Sequence, residues 1–338
     1  VSSTSSIAHG ADISWLTQLE ALGSTWVNAS GTVTDAVTLL QNFGVDSIRL
    51  RVMVNPGSTN YEVLSGTTVT GYLGYCDQAG VVTLAQRCAS LGITKFLIDF
   101  HFSDTWASDE NQAPPAAWAG YSLAQLQTAV SNHVTSVLTA LKTAGITPTW
   151  VQLGNEITDG ILFGTSGTGY VTGTTGWANL AALLNAGYAA VKAVDSSALV
   201  ILHLDKGGEN AQYEWWFDNY KAAGGKWDVV GMSFYPYWQP SDTVAMLLAN
   251  MNDMVSRYGK PVMVCEVGGL YSNPSATQTL LTNVKTAVAS VTGGNGLGVF
   301  YWEPESNPAV FTNYSLGAAQ VVSGYRAQFT SALQGFNQ

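Results

Sequence analysis

Two apolar runs in this chain each end in a glutamate. Trp150-Val151-Gln152-Leu153-Gly154-Asn155 delivers Glu156, and Pro261-Val262-Met263-Val264-Cys265 delivers Glu266. A carboxylate beside a buried strand is costly unless it is paired or hydrogen-bonded. Either glutamate alone reads as a helix cap or an arginine's partner. Two at matched strand ends point instead to paired-carboxylate chemistry of the kind that cleaves a glycosidic bond. One carboxyl protonates the departing oxygen, and the other attacks the anomeric carbon or activates water. A gap of ~5 Å between them predicts retention of configuration, and ~6.5–9.5 Å predicts inversion.

The neighbours suggest roles. Asn155 can donate to a sugar 2-hydroxyl, which makes Glu156 the expected acid/base, with a pKa raised enough to keep its proton. Glu266 is then the expected ionised nucleophile, held so by an arginine and the Tyr235 hydroxyl. Arg49 and Arg51 both qualify as that arginine, because their spacing puts them on one face of a strand. The alternative for one of them is a structural ion pair. Asp12, Asp99, His101, His203, Asp205, Ser233, Trp302 and Glu303 also fall at or near strand ends. Asp99, His101, His203 and Asp205 could instead hold a divalent metal for hydrolysis, as in amidohydrolases. No His-X-His pair occurs. The reading adopted is hydrogen bonding to sugar hydroxyls or support of the carboxylates, with no metal and no cofactor. Asp104, Trp106, Trp118, Tyr237 and Trp238 extend the expected rim, where aromatic faces can stack on sugar rings. The Trp302–Glu303 peptide is a candidate non-prolyl cis bond.

These residues need a scaffold that gathers strand ends. Strands are expected at 10–13, 47–54, 95–102, 150–156, 198–204, 228–235, 261–266 and 297–302. Helices are expected at 15–22, 35–43, 81–90, 122–143, 177–194, 211–223, 241–258, 275–290 and 316–333. Ser122 is a suitable N-cap. Residues 55–80 and 158–176 read as loops. Strand and helix alternate without a linker-like break, so the fold class is α/β, a single (β/α)8 TIM barrel over residues 1–338. Near-continuous apolar strands suit a parallel sheet buried on both faces. In such a barrel the C-terminal strand ends converge on one mouth.

Composition narrows the partners. Net charge is −10 and no Lys/Arg cluster occurs, which argues against nucleic acid and anionic membranes. No apolar run reaches the ~18 residues of a membrane span. Charged residues make up only 11%, so the surface must be largely hydroxyl and amide groups, as suits a secreted protein. The Val-Ser-Ser-Thr start without Met also fits a removed signal peptide. Cys76 and Cys88 flank a Gly-containing turn and could be bridged or free, while Cys265 reads as a buried free thiol. The expected partner is a poly- or oligosaccharide, bound by a monomer.

Several stretches together resemble one family. They are Gly10-Ala11-Asp12-Ile13-Ser14, Ser47-Ile48-Arg49-Leu50-Arg51-Val52 with Asn55-Pro56, Asp99-Phe100-His101-Phe102-Ser103-Asp104-Thr105-Trp106-Ala107 and Gly154-Asn155-Glu156-Ile157. His203-Leu204-Asp205, Gly231-Met232-Ser233-Phe234-Tyr235-Pro236-Tyr237-Trp238 and Gly298-Val299-Phe300-Tyr301-Trp302-Glu303-Pro304 continue the match in order. The pattern resembles glycoside hydrolase family 53, the endo-β-1,4-galactanases. That resemblance implies a clan A barrel cleaving β-1,4-galactan, the side chain of pectic type I arabinogalactan, with retention. It also implies Glu156 as acid/base and Glu266 as nucleophile. The chain departs from the family at Val267-Gly268-Gly269-Leu270, where an aromatic-Pro element is usual, and at Leu162-Phe163-Gly164, where Leu-Trp-Pro is usual. The loop at 55–80 is long, and the seventh and eighth βα loops read as short, without the calcium-bearing loop of bacterial members. Because these departures fall at subsites, three competing expectations stand beside galactanase. They are a retaining hydrolase of another β-linked glycan, exo action on galactose-containing chains, and a catalytically silent carbohydrate-binding barrel.

Overall fold

The computed structural model describes residues 7–57, 61–63, 67–69, 73–163, 173–312 and 314–337. Eight parallel strands close a barrel: β1 (Ala8–Asp12), β2 (Ser47–Val52), β3 (Lys95–Phe100), β4 (Trp150–Leu153), β5 (Leu199–Leu204), β6 (Val229–Phe234), β7 (Val262–Val267) and β8 (Gly296–Trp302). β1 pairs with both β2 and β8, with Asp12 opposite Arg49 on one side and Trp302 on the other. The expected (β/α)8 TIM barrel is therefore present. Around it lie α1 (Leu16–Ala21), α2 (Ala36–Asn42), α3 (Gln78–Ser90), α4 (Leu123–Thr143), α5 (Gly173–Val194), α6 (Asn210–Ala222), α7 (Val244–Tyr258) and α8 (Pro274–Ala289).

The helix ends follow local chemistry. Ser122 and Gln125 form a reciprocal capping box at the start of α4. Asp35 accepts from Val37 N at 2.8 Å before α2, and Gly259, at φ 64°, ends α7 in the left-handed region glycine tolerates.

The barrel interior changes character along its axis. Ala8, Leu97, Trp150, Ile201, Met263, Cys265 and Phe300 form a buried apolar plug. Gly10 makes room for it, since a Cβ there would lie 2.1 Å from the Phe300 ring. Two residues further along most strands the inward positions turn polar: Leu97 gives way to Asp99, Trp150 to Gln152 and Ile201 to His203. Side chains alternate with period two, so one face of each strand carries first the plug and then the chemistry.

Several expectations need correction. The helix expected at 316–333 is absent. Strands Ala319–Ser323 and Arg326–Phe329 form a hairpin there, the second strand pairs with Thr25–Trp26, and a 3-10 helix follows at Ser331–Phe336. That last helix packs on α8, where Lys285 Nζ donates to Phe336 O at 3.2 Å. The eighth βα connection is accordingly long, running over residues 303–318 before the hairpin. Within 55–80, Tyr61–Val63 pairs with Thr67–Val69, and a 3-10 helix covers Leu73–Cys76; the rest of that loop expectation includes positions outside the described residues, as does part of the loop at 158–176. α5 begins at Gly173 rather than Trp177.

Cys76 and Cys88 are both free and buried, as is Cys265. Cys76 precedes α3, and Cys88 lies nearly three turns along it, roughly 15 Å by helix rise, too far for the ~7 Å limit of a bridged pair. Among the described residues no peptide is cis; the backbone at Glu303 instead takes φ 47°. No helix among the described residues is long and apolar enough to cross a membrane.

Candidate active site

A cleft of about 400 Å³ opens at the C-terminal mouth of the barrel. Glu156 and Glu266 both line it, as do His101, Asn155, Tyr235 and Trp238. Each glutamate is aimed by a local irregularity. After β4 the chain turns through Gly154 (φ 87°), where a Cβ would sit 2.5 Å from Ile157, and Glu156 itself takes φ 48°. A non-glycine residue in this region carries strain, which tends to be kept where it aims a functional group. In β7 the pairing with β6 slips between Val264 and Glu266, a bulge at Cys265 that re-aims the carboxylate.

Arg49, 1% exposed, organises the floor of the cleft. Its Nη1 lies 2.8 Å from Asp12 Oδ2 and 2.7 Å from Glu266 Oε1. Its Nη2 lies 2.9 Å from both Asp99 Oδ2 and Asn155 Oδ1, and its Nε reaches Gln152 Oε1 at 3.3 Å. Tyr235 Oη donates to Glu266 Oε2 at 2.9 Å. Of the two arginines, then, Arg49 holds Glu266. Arg51 pairs with Glu303 and lies 4.0 Å from the centre of the Trp106 ring.

The two glutamates differ electrostatically. Glu156 opens onto the cleft, but the protein surrounding its carboxyl raises its pKa well above the ordinary value, chiefly by desolvation and then by repulsion from Glu266, Asp109 and Asp205. Glu266 is also raised, by less. Desolvation raises it, although Arg49 and the Tyr235 hydroxyl oppose the rise. The arginine therefore limits the effect of burial without reversing it, and the order of ionisation still favours Glu266 first.

The histidines serve as fixed hydrogen-bond relays. Burial lowers the His203 pKa well below its ordinary value. Glu156 N (3.3 Å) and Gln152 Nε2 (3.0 Å) point at His203 Nδ1, which leaves Nε2–H to donate to Ser233 Oγ at 2.9 Å. Ser233 in turn bonds the Glu156 side chain. His101 Nδ1 accepts from Ala107 N at 3.0 Å, so its Nε2–H donates to Asp99 at 2.9 Å. Burial pushes Asp99 up, but Arg49 and His101 outweigh it and the net shift is downward. Asp99 and His203 thus spend their polar atoms on protein partners, and among the described residues no group of three His, Cys, Asp or Glu is arranged to hold a metal.

Of the other expected residues, Trp106 and Trp302 line the cleft. Asp12 lies beneath it on Arg49. Asp205 lies beside it, bonded to the Thr158 hydroxyl, to Lys206 Nζ at 2.7 Å and to Gln212 Nε2 at 2.9 Å. Asp104 accepts from Ala116 N at 2.9 Å and steadies its own loop. Trp118 is not at the rim but packs against His133. Two supporting residues escaped the sequence reading. Gln152 breaks an apolar strand and was visible by alternation. Gln112 ties the β3α4 loop to the strained corner by donating to Asn155 O at 2.8 Å, and nothing local marks it.

The chain is similar to known proteins over nearly its whole length. The family model described as glycosyl hydrolase family 53 matches residues 8–336. The arabinogalactan endo-beta-1,4-galactanase of Thermothelomyces thermophilus is 30% identical, over 92% of each chain. The endo-beta-1,4-galactanase of Bacillus subtilis is also 30% identical, over 95% of this chain and 77% of its own. A solved structure from a study of two fungal beta-1,4-galactanases superposes with a TM-score of 0.81 at 27% identity, covering 98% of this chain and 99% of the other.

Proposed function

This chain belongs to glycosyl hydrolase family 53, and on that premise we propose that it cleaves β-1,4-galactosidic bonds within galactan and type I arabinogalactan, by double displacement with retention. The observation that carries the proposal is the pair in one cleft, Glu156 in surroundings that desolvate its carboxyl and favour its neutral form, and Glu266 anchored on Arg49 and Tyr235. Glu156 protonates the departing oxygen while Glu266 attacks the anomeric carbon. Glu156, now ionised, then takes a proton from the water that releases the glycosyl-enzyme. Asn155 Nδ2 donates one hydrogen to Ala107 O at 2.8 Å, which leaves its second for the sugar 2-hydroxyl. Supporting this substrate class are the names of the relatives above and the aromatic faces of Trp106, Trp238 and Trp302 around the cleft. The low content of charged residues supports action outside the cell, in pectin breakdown. One chain carries both carboxylates and the whole cleft, which supports a monomer.

The test is reducing-sugar release from galactan beside a panel of other β-glycans, with the anomer of the first product read by NMR. Internal cleavage of galactan giving the β-anomer first is the expected result. Preferred hydrolysis of another glycan, single-sugar release from one end, or binding without turnover would each replace this reading with one of its competitors. Tyr235→Phe should lower kcat roughly 10- to 100-fold, the worth of one hydrogen bond to a charged group. Its fold should be kept, as near-UV circular dichroism would report.

A further inference from the structure

Three tryptophans of the cleft, Trp15, Trp106 and Trp302, depend on one buried carboxylate. Trp15 packs edge-on to Trp106 at 5.7 Å and to Trp302 at 4.9 Å between ring centres. Glu303 follows Trp302 directly, in a left-handed backbone conformation. Its Oε2 accepts from Trp15 N at 3.0 Å, and its Oε1 pairs with Arg51 Nη1. Arg51 in turn lies over the Trp106 ring at 4.0 Å and the Trp15 ring at 5.6 Å. Glu303 therefore reaches all three rings, by chain connection, by backbone hydrogen bond and through the guanidinium.

Behind it sits Glu305, fully buried. Among the described residues no other side chain donates to either of its oxygens; its own backbone N–H lies close by, and the side chain it faces is the Glu303 carboxylate. Ionised, Glu305 would lie out of bulk solvent with only its own backbone N–H to support the charge and would be repelled by its neighbour. Neutral, it carries an O–H that the Glu303 carboxylate can accept. Burial followed by that repulsion raises its pKa well above the ordinary value.

We propose that Glu303 and Glu305 hold one proton between them and act as the positioning unit for the Trp15–Trp106–Trp302 wall, and that losing this proton to alkaline solvent loosens the wall and weakens glycan binding. The inference rests on the cleft being the glycan site. Other groups facing the pair are Arg51, Asp12, Cys76 and Tyr314, with Tyr301 beyond Tyr314. Arg51 is the cation among them, and Asp12 adds repulsion. Burial raises Cys76 to about 11 and raises both tyrosines, so these groups stay neutral and add no further negative charge beside the pair. With the proton in place, Arg51 faces a net single charge from the pair; without it, two charges share one partner.

The experiment compares wild type with Glu305→Gln, an isostere that donates but cannot ionise. KM for a β-1,4-linked galacto-oligosaccharide is measured from about pH 7.5 to about pH 10, above the value of about 7 to which burial raises Glu303, with near-UV circular dichroism of the free protein over the same range. At the lower end of that range the two should share a KM within about twofold. On the alkaline side wild-type KM should rise about tenfold, the worth of one or two lost ring contacts, while its aromatic dichroism falls; E305Q should show neither change. A parallel KM rise in E305Q, or a wild-type spectrum constant across the range, would overturn the proposal. KM is the readout because loss of the Glu156 proton lowers kcat and kcat/KM together and leaves their ratio unchanged. The spectral titration of wild type, read in the tryptophan bands below the onset of tyrosine ionisation at ~10, needs neither the variant nor a glycan, so it decides the matter if E305Q misfolds or galactan proves to be the wrong substrate.

Discussion

Glu266→Gln is expected to bind galactan and cleave it on the order of 10⁴-fold more slowly or worse, as when a covalent nucleophile is removed elsewhere. The amide fills the same space beside Arg49 and Tyr235 but cannot form the glycosyl-enzyme. Glu156→Gln should behave differently. Its loss on galactan is about 10²–10⁴-fold, the usual worth of a general acid. An aryl galactoside with a good leaving group needs little protonation, so its first step should be largely spared and the glycosyl-enzyme should accumulate as a burst. The pH profile carries the same signature. Glu156 must be protonated and Glu266 ionised in the free enzyme, and desolvation raises both, Glu156 further. The kcat/KM bell should therefore lie above the ordinary carboxylate range, its acid limb from Glu266 and its alkaline limb from Glu156. In Glu156→Gln the alkaline limb should vanish. Equal losses on both substrates with an unchanged bell would mean that Glu156 is not the acid.

What was legible in the sequence was what alternation within one strand enforces. Asp99 and His101, or His203 and Asp205, must share a face because successive side chains point oppositely, and an apolar strand makes such residues conspicuous. Alternation could not separate Arg49 from Arg51. They share a face but differ by roughly 6.6 Å of rise, and that height sets Arg49 beside Glu266 and Arg51 beside Glu303. The bulge at Cys265 was hidden for a related reason, since it is a property of the β6–β7 pairing and not of β7 alone. Residues 316–333 misled because their small and apolar residues fit a helical stripe. The adjacent Val321 and Val322 before Ser323-Gly324, with Gly324 at φ 55°, were the hairpin signal. Gln112 and Glu303 owe their importance to partners more than 40 positions away, and no local pattern encodes that.

Arg49 supplies the widest effect of any single side chain here. Arg49→Met should cost about 3–5 kcal/mol in chemical denaturation, the usual cost of breaking a buried charge network from one side. Asp12, Asp99 and Glu266, each no more than 5% exposed, would lose their shared cation. Stability should also respond to pH with a definite sign. In wild type the folded-state pKa of Asp99 is depressed, so its contribution is present above the ordinary aspartate range and is lost as pH falls through the depressed value. Without Arg49, burial acts on Asp99 with less opposition and that acid-side loss should shrink. Catalysis moves in the same direction. Arg49 is the largest influence holding Glu266 down, so in the variant Glu266 takes up a proton more readily and the acid limb of kcat/KM moves toward higher pH. Arg51→Met provides the contrast, since its partners are Glu303 and the ring faces of Trp15 and Trp106. That change should raise KM and leave the acid limb in place. If both variants moved the limb equally, the assignment of Arg49 to the nucleophile and Arg51 to the aromatic wall would be wrong, and the two arginines would be acting as one pooled positive charge under the cleft.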